Sequence, residues 1–375
     1  MKIGERIMVL RKHGAANAEI DELLRYTEPA FDLTGAADRR FPLDDEPFLA
    51  TWTDYEAEAA QRGVWPCLRD KLVQLRFPIA DGMSRSTAYR AATRRGDLSD
   101  APRPTDGLCL RSPNKLRLIL HRTPAGRIPV LIAEEREDFV ALLRALVHRN
   151  EPHPIPAAQG ACLVGSYNNW NRVHRLRAHW RFRRPHATAA EWHAEFQALV
   201  PRKELYQDSF ILLSAGPYSG VSGNDLGMAE SSWRHMSLRI RLEHECAHYF
   251  TRRVLGSMSN SLHDELIADY VGLTVATGYF RTEWFLRFMG VDQQSAIRPD
   301  GRLHAYRGKP PLSKGAFRVL QRIVWSAAYG VNVLDPIPTR SSPHTQRLAN
   351  GILSLANETV ESLAVLGCVH RKHHV

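Results

Sequence analysis

The stretch RLEHECAHYF, residues 241–250, places two histidines four residues apart, with a glutamate directly after the first. On an α-helix, His244 and His248 would be separated by only about 40° around the axis, so both imidazoles would point to one side. Two nitrogens one turn apart can bind a single zinc ion. Glu245 would lie about 100° round from His244, on the flank of that face. That is near enough to reach a water bound to the metal and act as its general base.

Such a centre needs a third protein ligand and a fourth position for water. SNSLHDELIADYVGL, residues 259–273, reads as a second helix, because Leu266, Ile267, Tyr270, Val271 and Leu273 recur with helical spacing. Glu265 and Asp269, four apart, share one face. Glu265 is the candidate third ligand, and Asp269 can accept the N–H of a ligating histidine. Asp264 is the alternative third ligand, but no acid stands four residues beyond it. His263 is expected at an exposed turn. Cys246, about 200° from His244, is expected to pack in the core. Thr251 and Val254 exclude a third histidine in the HExxHxxGxxH pattern.

HECAH followed by DELIAD resembles the gluzincin branch of the zincin metallopeptidases, in which HExxH is followed on a second helix by ExxxD. The likeness covers about residues 230–280, and the general look of the chain is that of a bacterial zincin-like group. It implies a zinc (Zn2+) peptidase in which His244, His248 and Glu265 bind the metal. Glu245 would activate the zinc-bound water, and Asp269 would orient a histidine. Related enzymes also place a tyrosine or histidine opposite the metal to stabilise the oxyanion. Tyr306 in RLHAYRG and His344 in SSPHTQRLANG are the candidates here.

The remainder of the 375-residue chain sets the context. With 44% hydrophobic and 24% charged residues, it has the composition of a globular protein with a substantial core. No apolar run is long enough to span a bilayer, and the N-terminus lacks the apolar segment of a secretory signal. Five scattered cysteines without a CxxC pair point to reduced thiols, hence a cytoplasmic setting with no membrane partner. The net charge is +10, and HRLRAHWRFRRPH, residues 174–186, alternates arginine with aromatic rings. Nucleic-acid surfaces are often built this way. The plainer reading is an arginine-rich strand or loop whose charges are met by carboxylates.

The expected fold is α+β and zincin-like: a small mixed sheet with an edge strand above the metal-bearing helix, then a mainly helical C-terminal part. Residues 1–150 form an accessory region of helices and a β-hairpin (KLRLILHR and RIPVLIA around TPAG), and residues 151–375 the peptidase domain. SFILLSAGPYSG, residues 209–220, is the expected substrate-binding edge, with Tyr218 near the cleft. NNWN, residues 168–171, is read as a turn cap in preference to a cleft lining. The expected partner is a protein or peptide substrate. The alternative is a nucleic-acid- or partner-binding protein whose metal site is structural or non-catalytic.

Overall fold

The computed structural model describes residues 1–29, 31–256, 262–291, 301–334 and 344–372, with residues 370–372 described by backbone alone. In chain order the helices are α1 (Ile3–Lys12), α2 (Asn17–Tyr26), α3 (Phe48–Arg62), α4 (Val64–Lys71) and α5 (Thr87–Arg95). The hairpin β1 (Arg117–Thr123) and β2 (Gly126–Ala133) follows, then α6 (Arg136–Leu146), β3 (Ala161–Asn168), α7 (Trp170–Arg183), α8 (Ala189–Leu199) and β4 (Gln207–Ser214). The C-terminal part holds α9 (Glu230–Val254), α10 (Leu262–Thr277), α11 (Thr282–Met289), α12 (Lys314–Leu334), α13 (His344–Ala356) and α14 (Val360–Lys372). The protein is thus α+β with a small mixed sheet.

The chain divides into two compact units. One comprises Met1–Leu43, Thr123–Ala125 and Pro217–Val375, and the other Asp44–Arg122 and Gly126–Gly216. The composition break near residue 150 does not separate them. It falls between α6 and β3, inside the second unit, because strands from both sides of it join one sheet.

That sheet has the order β1-β2-β4-β3. β4 runs parallel to β2 (Leu131 opposite Leu212) and antiparallel to β3 (Leu163 opposite Ile211). The segment expected to offer a substrate-binding edge is therefore interior. Its main-chain groups are spent on both neighbours, and Phe210–Leu213 are buried as an interior strand requires. The edges are β1 and β3. Phe48, Leu49 and Trp52 of α3, and Phe139, Leu142, Leu143 and Leu146 of α6, pack with Leu131, Phe210 and Leu212 into one apolar cluster.

Local signals in this unit act as their chemistry requires. Ser86 caps α5 by accepting from the Tyr89 N–H at 3.3 Å, and Gly96 ends the helix at φ 67°. The break after α3 falls at Gly63, φ 91°, while Pro66 sits in the first turn of α4, where its missing N–H costs nothing. Asn169 caps α7, accepting from the Asn171 N–H at 3.1 Å. Its amide also donates to buried Asp208 at 2.7 Å, which Trp52 and Arg172 hold at 2.8 and 2.7 Å. NNWN is thus a cap tied to a buried polar cluster. The arginine-rich segment after it is a helix, α7, where a strand or loop was expected.

In the first unit, α9 and α10 lie close enough that a Cβ built on Gly272 would fall 2.7 Å from the Ile240 carbonyl oxygen. α12 and α14 approach similarly, with Gly330 against the Leu363 carbonyl and Gly367 against that of Ser326. The N-terminal segment belongs to this unit: Asp32 N–H donates to the Leu255 carbonyl at 3.0 Å, and Arg6 pairs with buried Glu361 at 3.1 Å. Among the described residues no single helix is long and apolar enough to cross a membrane; α13 and α14 pass that test only as a pair bent by 98°.

Candidate metal centre

α9 opens with Glu230 in its first turn and closes with Arg252 and Arg253 in its last, each sign matched to the helix dipole. The Trp233 indole donates to the Val221 carbonyl at 2.7 Å and pins the helix start to the preceding loop. Further along, Ser237 accepts from the Tyr218 N–H at 3.0 Å, and Arg241 donates to the Pro217 carbonyl at 2.9 Å. Ser237, Arg241, His244 and His248 recur three or four apart, so one helix face carries both the loop and the imidazoles.

His244, His248 and Glu265 converge, all three buried. The two Nε2 atoms are 3.1 Å apart, and Glu265 oxygens lie 3.5 Å from His244 Nε2 and 3.6 Å from His248 Nε2. A tetrahedral ion about 2.0–2.1 Å from each donor would space the donors about 3.3–3.4 Å apart, so these residues fit such an ion. Two imidazoles with one carboxylate are a donor set suited to zinc.

The far side of each ring meets a carboxylate. His244 Nδ1 is 3.0 Å from Asp269 Oδ1, and His248 Nδ1 is 2.9 Å from Asp264 Oδ2. With each Nδ1 donating outward, both Nε2 lone pairs turn toward Glu265. Lone pairs 3.1 Å apart beside a carboxylate require a cation, either a proton or a metal ion. Asp264, weighed from the sequence as a rival ligand, instead orients His248.

A further layer surrounds Asp269. The Tyr218 hydroxyl donates to its Oδ1 at 2.6 Å and lies 2.9 Å from His244 Nδ1. Arg302, in the short 3-10 turn Arg302–Tyr306, bonds Asp269 Oδ2 through Nη2. Its Nη1 donates to the Tyr218 hydroxyl at 2.9 Å and to Ser219 Oγ at 3.1 Å, and Nη2 lies 3.9 Å from Glu265. Ser219 sits at φ 51°, a left-handed backbone that a non-glycine residue adopts only when its surroundings impose it. Nothing in the sequence marked Arg302, which lies 33 residues from Asp269.

The charges follow from these contacts. Burial opposes ionisation of Asp269, but Arg302 and His244 outweigh it and hold the carboxyl at about 2. Burial likewise works against Glu265, whose carboxyl is still lowered by His244, His248 and Arg302. For His248, burial disfavours the cation, yet Asp264, Glu265 and Glu245 raise the imidazole to about 10. Burial first, then nearby carboxylates, pushes the Tyr218 and Tyr306 phenols well up, although Arg302 pulls both down. Both hydroxyls therefore stay protonated at neutral pH.

Glu245 is buried on α9, one residue from His244, and among the described residues no side chain hydrogen-bonds to it. Tyr306 reaches the centre: it interacts with Glu265, and its carbonyl accepts from the Tyr26 hydroxyl of α2. His344 opens α13 and is exposed. Among the described residues no hydrogen bond, ion pair or ring contact joins it to the centre. His263, expected at an exposed turn, is buried, with Nε2 2.9 Å from the Leu355 carbonyl and its ring against Phe31. Cys246 is buried, as its helix position requires. Residues 257–261, the last three of which open the stretch expected to be the second helix, lie outside the described residues.

The chain belongs to a family of unknown function, DUF7005, whose profile matches residues 8–366. That span runs from α1 into α14. No curated protein and no solved structure matches the chain.

Proposed function

We propose that the protein is a zinc-dependent peptidase of gluzincin type, hydrolysing a peptide bond in a protein or peptide. The observation that carries the reading is the pair of Nε2 atoms 3.1 Å apart, both facing Glu265 and both backed by a carboxylate. His244, His248 and Glu265 would hold the ion. Bound zinc would supply Lewis acidity and lower the pKa of a coordinated water.

The chain's own groups then divide the work. Glu245, whose carboxylate has no hydrogen-bond partner among the described residues, takes a proton from the attacking water and returns it to the leaving amine. Tyr306, kept protonated beside Glu265, donates to the carbonyl oxygen of the cleaved bond as charge develops there. Asp264 and Asp269 fix the two rings, and Arg302 and Tyr218 fix Asp269. Three converging protein donors favour this reading over a structural site, which is normally closed by four. The five free cysteines accord with a cytoplasmic setting.

Metal analysis of the purified protein should give about one zinc per chain. Glu245→Gln should retain that zinc and lose hydrolysis of a peptide library. Hydrolysis that survives the substitution removes Glu245 as the base. Zinc retained without cleavage of any peptide by the wild type favours a non-catalytic site.

A further inference from the structure

The arginine–aromatic segment has no part in the reaction above, and its structure gives it another use. α7 and α8 form a helical pair in the second unit, joined by a seam of rings. Trp180 meets Trp192 edge-on at 5.4 Å, Trp170 stacks on Phe196 at 5.9 Å, and the Arg177 guanidinium lies over Trp192. α8 buries none of its residues. The outer side of α7 is basic: Arg175 and Arg183 stand eight apart with His179 midway, one above another, and all are exposed. Arg181 and Arg184 extend the charge, and α7 contains no acid.

Local carboxylates meet this charge incompletely. Arg172 is buried against Asp208, Arg175 has an exposed pair in Asp54, and Arg184 lies 3.9 Å from Glu195. Among the described residues no acid pairs with Arg181 or Arg183. Between those two stands Phe182, 85% exposed, the most exposed large apolar side chain of the described residues. A ring exposed to water, with an arginine about 100° round the helix to each side of it, is what an unpaired base can stack on while its phosphates are neutralised. A membrane surface is a poorer match, since it takes a broad apolar face, and here Val173, Leu176 and Trp180 are turned inward or half-buried.

We propose that the outer face of α7 binds single-stranded nucleic acid, with Arg175, Arg181 and Arg183 on phosphates and Phe182 stacked on a base. This does not depend on the metal centre.

The test is fluorescence anisotropy of a labelled single-stranded oligonucleotide of about 12 residues, titrated with full-length protein in chelator at several salt concentrations. Three phosphate contacts predict affinity about 20-fold weaker at 200 mM than at 50 mM salt. Arg181→Ser with Arg183→Ser should flatten the logarithmic salt slope by about 1.4. Phe182→Ala should weaken binding about fivefold or more and leave the slope unchanged. All three side chains are exposed, so circular dichroism should match the wild type. The proposal is overturned by binding that is absent or insensitive to both variants. It is equally overturned if duplex, polyglutamate or vesicles rich in phosphatidylserine bind as well as the single strand does.

Discussion

The carboxylate of Asp264 lies 2.9 Å from Nδ1 of His248, on the side of the ring opposite Glu265. It mirrors Asp269, 3.0 Å from Nδ1 of His244. Adjacent residues of α10 therefore face different tasks: Glu265 turns toward the Nε2 atoms, while Asp264 holds the ring behind. Asp264→Asn should lower zinc affinity about 10- to 100-fold and still bind stoichiometrically at saturation. Chelator competition measures this. Complete loss of zinc in a folded variant would make Asp264 a ligand after all.

Arg302 spans the Tyr218 hydroxyl, Ser219 Oγ and Asp269. Asp269 is fully buried, so removing its cation leaves an uncompensated charge. Arg302→Met should destabilise the fold by about 3 kcal/mol, measured by denaturant unfolding of the zinc-saturated protein. Arg302→Lys should recover only part of that loss, since an ammonium cannot reproduce the planar fork. Unchanged stability in both variants would rule out the bridge.

In the metal-free protein His248 is held at about 10, so at pH 8 it carries a proton. Zinc needs the neutral ring and must displace that proton. Binding should release about one proton at pH 8, seen as a dependence of calorimetric heat on the buffer's ionisation enthalpy. The sign follows: a group raised above the working pH is charged before binding, so apparent affinity rises with pH up to about 10. Heat independent of buffer would contradict the Asp264–His248 arrangement.

Gly272 allows α10 to lie against α9, its built Cβ only 2.7 Å from the Ile240 carbonyl oxygen. That approach brings Glu265 to the histidines. Gly272→Ala should cost about 1–3 kcal/mol and weaken zinc binding together with stability. A variant that loses stability but keeps full zinc affinity would show that the centre tolerates separation of the helices.

Tyr306 and His344 entered as equal candidates and are told apart by position. Tyr306→Phe should lower kcat about 100-fold with zinc retained, as loss of one oxyanion donor does. His344→Ala, at an exposed helix start, should leave both zinc content and kcat unchanged. The opposite pattern would exchange their roles.

Much of the centre was legible because a helix repeats every 3.6 residues. His244 with His248, and Glu265 with Asp269, are local pairs whose shared faces follow from spacing alone. The hairpin before Ala133 was equally local. What spacing could not supply is which long-range partner each group meets. Asp264 and Asp269 divide between two rings only once α10 packs on α9. Arg302 comes to Asp269 through a chain path with no periodic signal. β4 reads as a strand in any context, but its place between β2 and β3 is a property of the sheet, and that placement closes it as an edge. The sequence alone therefore determined which residues could share a helix face, because backbone geometry is local. Tertiary packing decided which carboxylate met which nitrogen, because desolvated charges are satisfied by neighbours in space.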